Sequence, residues 1–178
     1  MKKIKIGKTS LELIVGDITK QKTDAVVNAA NKSLAPGGGV AGAIHRAAGP
    51  QLWEECKKLG GCETGEAKIT KGYNLPASFI IHTVGPVYSG SIEDPKNLAS
   101  CYKECLKLGE INRIKSISFP ALSTGYFGYP LEKAAKIALE TVINELKKPI
   151  DMDLVRFVLY NTKSLEVHEQ ILDLILKN

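Results

Sequence analysis

Short apolar runs alternate with segments of helical periodicity along the chain, and this alternation constrains the fold more than any other feature. The apolar runs predict six strands, at residues 11–15, 24–28, 66–71, 78–84, 115–119 and 154–160. The helical patterns predict five helices, at residues 40–48, 50–59, 95–109, 131–146 and 165–176. Strands that alternate with helices favour a sheet covered on both faces. We therefore predict an α/β fold, a three-layer α/β/α sandwich with a central mixed, mostly parallel sheet.

The segment that follows each strand predicts part of the strand order. The runs at 24–28, 115–119 and 154–160 are each followed by a loop and a helix, so we expect them to be parallel and central. We expect the run at 11–15 to lie at an edge. The helix after Pro130 is the best defined, because its apolar residues keep a spacing of three or four until Pro149 prevents its continuation.

Length and composition predict one domain, residues 1–178. Of the 178 residues, 44% are apolar, which is enough for one sizeable core. We expect a cytoplasmic protein, since we find neither a signal peptide nor an apolar run of the roughly 20 residues that span a bilayer. The four cysteines contain no C-x-x-C pair, so we expect small buried side chains and no metal site.

Four segments stand at predicted strand ends, where open α/β sheets bind their ligands. They are GDIT (16–19), NAANKSLAPGGGVAGAI (28–44), STGYFG (123–128) and YNTKS (160–164). In the second segment, three glycines precede a helix that begins near Val40, so backbone N–H groups and the helix N-terminus could hold a phosphate. A plain glycine turn is the alternative, since the chain has neither a Walker loop nor a G-x-G-x-x-G pattern followed by a ribose-binding acid.

A second loop of similar character follows the predicted strand at 115–119. It offers glycine-permitted amides and two aliphatic hydroxyls, in the run Ser123, Thr124, Gly125, Tyr126 and Phe127. Two such loops at neighbouring strand ends predict a diphosphate between them. An ordinary connection between a strand and a helix is the alternative for this loop alone.

Side chains near these loops match the other parts of a nucleotide. Asp17 could accept a hydrogen bond from the adenine amine, and the N–H of Ile18 could meet a ring nitrogen; a capped turn is the alternative. Tyr160 could stack on a base, or pack on the core as a rim aromatic. Asn31 donates and accepts, which suits a ribose hydroxyl pair, although a role in the turn is open too. We expect Asn28 to hold loop backbone.

These segments, in their order and spacing, resemble the macro domain family. The blocks that carry the resemblance are GDIT, DAVVNAANKSL, GGGVAGAIHRAAGP, TGEAKIT, LPASFIIHTVGP and FPALSTGYFGYP. The chain looks most similar to the stand-alone hydrolases of ADP-ribosyl groups, including O-acetyl-ADP-ribose deacetylases. The resemblance implies a three-layer fold with an ADP-ribose-binding cleft at the strand ends.

The resemblance also implies a role for each loop. Asp17 and Ile18 would hold the adenine, and Tyr160 would cover it. Asn31 would meet the distal ribose and position the catalytic water. The first phosphate loop would be formed by Gly38, Gly39, Val40 and Ala41. The diphosphate would be wrapped by Ser123, Thr124, Gly125, Tyr126 and Phe127, the last of these beside the distal ribose.

One departure from the hydrolase subgroup concerns catalysis. The glycine run of the subgroup typically continues Gly-Val-Asp-Gly, and the aspartate activates or orients the attacking water, whereas this chain has Ala41 there. An alanine side chain accepts neither a proton nor a hydrogen bond. His45, one helical turn further on, could act as a base, although we favour a structural role for it.

Three functions therefore remain open. The first is an enzyme that cleaves O-acetyl-ADP-ribose or an ADP-ribosyl ester of a protein Asp or Glu side chain. The second is a reader that binds ADP-ribose or ADP-ribosylated proteins without chemistry, which Ala41 favours. Nucleic-acid binding is the third and least supported, because a net charge of +5 is mild and suits a small anionic ligand. We expect no metal, redox cofactor or membrane partner.

Overall fold

The computed structural model describes all of residues 1–178, as one seven-stranded sheet with helices on both faces. The strands are β1 (Lys2–Ile6), β2 (Thr9–Val15), β3 (Ala25–Ala29), β4 (Ala67–Lys71), β5 (Phe79–Thr83), β6 (Ser116–Phe119) and β7 (Leu154–Leu159). The α-helices are α1 (Gly39–Ala48), α2 (Pro50–Cys56), α3 (Glu93–Ile111), α4 (Leu131–Leu146) and α5 (Thr162–Lys177). Short 3₁₀ turns lie at Ile18–Lys20 and Lys57–Leu59. No helix is both long and apolar enough to cross a membrane.

The strand order is β1-β2-β7-β6-β3-β5-β4. The neighbours from β2 to β5 in this order pair in parallel, and β1 and β4 pair antiparallel at the two edges. The prediction of a mixed, mostly parallel sheet with β3, β6 and β7 parallel and central is confirmed.

The predicted edge position of residues 11–15 is wrong. These residues belong to β2, which lies inside the sheet between β1 and β7. The edge is formed by β1, residues 2–6, which the sequence analysis did not identify as a strand. It pairs with β2 through a tight hairpin in which Gly7 has a φ of 58°. Its lysines are typical of an edge strand that must not pair with another chain.

Alternate strand residues pack against the two helical layers. Val27, Phe119 and Phe157 contribute to a core beneath α3, α4 and α5. Val26 and Ile80 contribute to a second core beneath α1 and α2. All four cysteines are buried, as predicted, and each has a free thiol. The three-layer sandwich is thus confirmed, and each layer rests on a core of its own.

Parallel pairing places several strand ends at one edge of the sheet. The N–H of Gly16, after β2, donates to the carbonyl of Leu159 at the end of β7, at 3.1 Å. The N–H of Ala30, after β3, donates to the carbonyl of Thr83 at the end of β5, at 2.9 Å. The loops that follow these strands therefore begin side by side.

Candidate functional site

A cavity of about 460 Å³ opens at this edge of the sheet, between the loops that follow β3 and β6. Its lining consists of Ala29, Ala30, Asn31, Gly37, Gly38, Gly39, Val40, Ala41, Ala121, Ser123, Gly125, Tyr126 and Phe127. The two loops predicted to hold a diphosphate therefore face the same cavity. A volume of this size is typical of small-molecule sites.

The glycine run leads directly into the first turn of α1. Gly38 caps the helix with extended backbone, and Gly39 has a φ of 55°, which favours glycine. The N–H of Gly42 is the first to find a helical partner, the carbonyl of Gly38 at 3.1 Å. The N–H groups of residues 39–41 have no partner within the chain, which is the normal state of a helix N-terminus and suits an anion.

Gly42 allows the glycine run to lie close against α1. A Cβ built on Gly42 would overlap the carbonyl oxygen of Gly37 and lie 3.3 Å from its carbonyl carbon. Gly37 lines the cavity, so this close approach shapes one wall of it. The role of Gly42 is not predictable from the sequence, because its contact joins a turn and a helix whose relative geometry no local pattern encodes.

The second loop is a compact turn with free donors. Tyr129 N–H donates to the carbonyl of Ser123 at 2.9 Å, and Gly128 N–H donates to that of Gly125 at 3.0 Å. The N–H groups of residues 124–127 have no partner within the chain. Thr124 does not line the cavity; its hydroxyl donates to the carbonyl of Ala121 at 3.2 Å. The loop therefore offers backbone donors, with Ser123, Tyr126 and Phe127 contributing side chains.

The structure corrects the role expected for Asn28. Its side chain contacts no loop backbone: Nδ2 lies 3.0 Å from Nδ1 of His82 on β5, and Oδ1 is buried without a partner. Asn31 holds the loop instead. Its Oδ1 accepts hydrogen bonds from Ser33 Oγ at 2.9 Å and Ala35 N–H at 3.0 Å, and Nδ2 donates to the carbonyl of Ala35. Asn31 also lines the cavity.

Asp17, Ile18 and Tyr160 lie outside the cavity lining, at the ends of β2 and β7. Asp17 is exposed, and its Oδ1 accepts hydrogen bonds from the hydroxyl and N–H of Thr19 at 2.7 and 2.9 Å. These bonds lower the pKa of the Asp17 carboxyl, so it stays ionised. Its Oδ2 has no partner within the chain. Tyr160 is 92% exposed, which contradicts the alternative that it packs on the core.

His45 is buried on the inner side of α1. Its Nε2 has no hydrogen-bond partner, and burial lowers the pKa of its imidazole. The ring is therefore neutral near pH 7. It does not line the cavity, and Ala41, one turn earlier, does. No group of three or more His, Cys, Asp or Glu side chains is placed to hold a metal ion.

Three small residues of the cavity lining were not predicted from the sequence. Ala29 ends β3, Ala30 follows it and Ala121 follows β6, and all three line the cavity beside the predicted loops. The pair of alanines at the end of β3 was the signal for the first two, whereas Ala121, between Pro120 and Leu122, has none. A side chain larger than a methyl group at these positions would fill space that the cavity occupies.

Unpaired backbone N–H groups at the carboxyl ends of parallel strands are the arrangement by which α/β proteins of this class bind anionic ligands. A sequence model of the Macro domain family matches residues 27–138. A macro domain-containing protein of Chlorobaculum tepidum is 52% identical over 163 residues, covering 91% of this chain and 95% of that protein. The chain therefore belongs to the macro domain family, as its sequence predicted.

Three further comparisons concern proteins with named ligands or activities. An Oceanobacillus iheyensis macrodomain mutant with ADP-ribose superimposes with a TM-score of 0.96 at 43% identity, covering 99% of each chain. A Trypanosoma brucei macrodomain in complex with ADP-ribose has a TM-score of 0.86 at 42% identity, covering 90% of this chain and 68% of that one. The ADP-ribose glycohydrolase MACROD2 of Xenopus laevis is 52% identical over 161 residues, which are 89% of this chain and 38% of that protein.

Proposed function

We propose that this protein binds ADP-ribose in the cavity and hydrolyses ADP-ribosyl esters, with O-acetyl-ADP-ribose or ADP-ribosylated Asp and Glu side chains as substrates. The observation that carries the proposal is the convergence of two sets of unpaired N–H donors, residues 39–41 and 124–127, at one cavity. Such donors suit a diphosphate. The ADP-ribose complexes of two similar macrodomains and the glycohydrolase name of MACROD2 support this ligand.

The other parts of the ligand would meet side chains around the cavity. Asp17 Oδ2 would accept a hydrogen bond from the adenine amine, and Tyr160 would cover the base from the solvent side. Phe127 would lie beside the distal ribose. Asn31 would contact the same ribose through the second N–H of its amide, since the first is bonded to the carbonyl of Ala35. During hydrolysis the same N–H would position the attacking water in place of the ribose hydroxyl.

Ester hydrolysis requires a water molecule that loses a proton and a carbonyl that gains negative charge. The free N–H groups of the glycine run would stabilise the developing negative charge. None of the lining residues is Asp, Glu, His, Lys or Arg, so the cavity offers no side chain suited to be a general base near pH 7. Such a base contributes about 10²–10⁴-fold to a rate. We therefore expect slow turnover, in which a phosphate of the substrate assists the water.

The same lining favours a second function, that of a reader. A cavity that provides donors for a diphosphate and no base would bind ADP-ribose, free or attached to protein, without cleaving it. Ala41 is the position that separates the two functions, because it lines the cavity in the first turn of α1. A carboxylate there would be favoured by the helix N-terminus and would be the only acid in the lining.

The test pairs a binding measurement with a turnover measurement on the same protein. Calorimetry with ADP-ribose determines whether the cavity binds the ligand, and absence of binding would end both proposals. Release of product from O-acetyl-ADP-ribose and from ADP-ribosylated protein separates enzyme from reader: no release above the buffer rate means a reader. Ala41→Asp should raise the hydrolysis rate by about 10²–10⁴-fold. An unchanged rate would show that no water is held next to residue 41.

We also propose that residues 1–178 form a single macro domain that works in the cytoplasm. The sheet takes strands from Lys2 to Leu159, and α5 packs on its face, so the first and last elements share one core. Four buried free cysteines suit a reducing compartment. Cell fractionation and limited proteolysis would test the two statements separately.

A further inference from the structure

The segment after β5, residues 85–94, lies behind the second loop and lines none of the cavity. Its first residue, Gly85, is buried against Ser123. A Cβ built on Gly85 would overlap Ser123 Oγ, whereas it would lie 3.5 Å from Ser123 Cβ, an ordinary contact. The hydroxyl oxygen of Ser123 therefore occupies the space that a side chain at position 85 would need, and this is why the position requires a glycine.

Ser123 is itself in an unusual conformation. Its φ of 66° lies in the left-handed region that few non-glycine residues adopt. Its Oγ is buried and has no hydrogen-bond partner. Packing against Gly85 is thus the contact that fixes this side chain at the start of the second loop.

Tyr88 contacts the other end of the same loop. Its N–H donates to the carbonyl of Phe127 at 2.8 Å. Its ring lies 4.8 Å from the ring of Tyr129, centroid to centroid, at an angle of 56°. The N–H of Tyr129 donates back to the carbonyl of Ser123. Residues 85 and 88 therefore hold the loop at both ends.

The segment is anchored in turn to the first turn of α3. Asp94 Oδ2 accepts hydrogen bonds from the N–H groups of Ser89 at 2.8 Å and Gly90 at 3.0 Å. The anchor is local and does not reach the cavity. It makes residues 85–94 a fixed support on which the second loop rests.

We infer that Gly85 is a positioning residue for the ligand, and that residues 85–94 hold the second loop in the curvature that leaves the N–H groups of residues 124–127 free for phosphate. The inference rests on the proposed function, since the loop positions a diphosphate only if the cavity binds ADP-ribose. Bonds from N–H groups to phosphate are short and directional, so a small displacement of this loop weakens several at once.

The experiment introduces a steric clash at position 85 and then removes it with a second substitution at position 123. Gly85→Ala should lower the affinity for ADP-ribose, measured by calorimetry, by about tenfold or more, because the loop must shift to relieve the overlap with Ser123 Oγ. The affinity for adenosine, measured by NMR titration, should not change. The double variant Gly85→Ala/Ser123→Ala should bind ADP-ribose within about twofold of Ser123→Ala alone, since the overlapping atom is gone.

A matched control is Gly109→Ala in α3. A Cβ built there lies 3.2 Å from the end of the flexible Met152 side chain and at ordinary distances of 3.9 and 4.0 Å from Ile114, so this variant should leave the affinity unchanged. If the unsubstituted protein binds no ADP-ribose, the proposed function fails first. If it binds and Gly85→Ala binds equally well, the inference is overturned. It is also overturned if the double variant stays as weak as Gly85→Ala, or if adenosine binding is lost in parallel.

A second variant covers the case in which Gly85→Ala does not fold. Tyr88→Leu removes the ring packed on Tyr129 and should weaken ADP-ribose binding by about threefold or more. The neighbouring Val87→Ala is the control, because Val87 is 62% exposed and the variant should bind as the unsubstituted protein does. Equal affinity of Tyr88→Leu and Val87→Ala would overturn the inference.

Discussion

Buried His82 makes this fold sensitive to acid, and the size of the effect follows from its surroundings. The ring is fully buried on β5. Nε2 lies 2.8 Å from the hydroxyl of Thr70, which donates its own proton to the carbonyl of Lys71 at 3.1 Å. The hydrogen-bond network therefore assigns the ring proton to Nε2 and leaves Nδ1 to accept from Nδ2 of Asn28. The neutral ring satisfies both contacts, and a second proton would break the one to Asn28.

The magnitude follows from the difference in pKa between the folded and unfolded states. Burial, with a smaller contribution from His45, lowers the pKa of His82 from its ordinary value near 6.5 to about 3. Between these values the unfolded chain binds a proton that the folded protein does not. Stability is therefore retained above pH 6.5 and lost as the pH falls below it. The loss between pH 7 and pH 5 is about 2 kcal/mol from this residue alone.

Urea unfolding at pH 7 and pH 5 measures this loss. We expect His82→Gln to be less stable than the unsubstituted protein at pH 7, yet to lose about 2 kcal/mol less between the two pH values. Thr70→Val is the matched control: it removes one partner of the ring but keeps the ionisable group, so it should lower stability at both pH values. Identical pH dependence in His82→Gln and the unsubstituted protein would refute the assignment of the acid sensitivity to His82.

Three other substitutions test the site and the fold. Gly42→Ala should weaken ADP-ribose binding by about tenfold, because the added Cβ overlaps the Gly37 carbonyl; calorimetry beside Gly109→Ala checks it, and equal affinities would contradict it. Asp17→Ala should weaken ADP-ribose binding in the same assay, and unaltered affinity would remove this carboxylate from the site. Asn161→Ala should lower the free energy of unfolding by about 1 kcal/mol in urea, because Asn161 caps α5; no change would show that water replaces the cap.

The sequence predicted most of the fold because the signals are local and strong. The apolar spacing of α4 and its flanking prolines placed that helix at Leu131–Leu146, as observed. The edge strand β1 escaped prediction because KKIKI contains three lysines and only two apolar residues. Such a segment is a strand only through pairing with β2, which the sequence does not display. The edge position of residues 11–15 was wrong for the same reason.

The loops of the site were predictable because parallel strands end at the same edge of a sheet. The roles of Asn28 and Asn31 were not, since they depend on which strands are neighbours. Asn28 stands opposite His82 in the pairing of β3 with β5, 54 residues away along the chain. That register gives Asn28 a partner inside the sheet and leaves Asn31 as the residue that holds the loop.

The proposed binding and the proposed chemistry depend on different parts of the molecule. Binding would rest on backbone N–H groups whose positions are set by glycines at 37–39, 42 and 85, so a change of side chain elsewhere in the lining leaves these donors in place. Hydrolysis would need one acid or base beside the ester, and position 41 is where the lining meets the N-terminus of α1. Compared with a carboxylate, the methyl group of Ala41 would lower the rate of hydrolysis and would leave the backbone N–H donors unaltered. Affinity for ADP-ribose and turnover should therefore vary independently in this protein, and Ala41→Asp should change the second far more than the first.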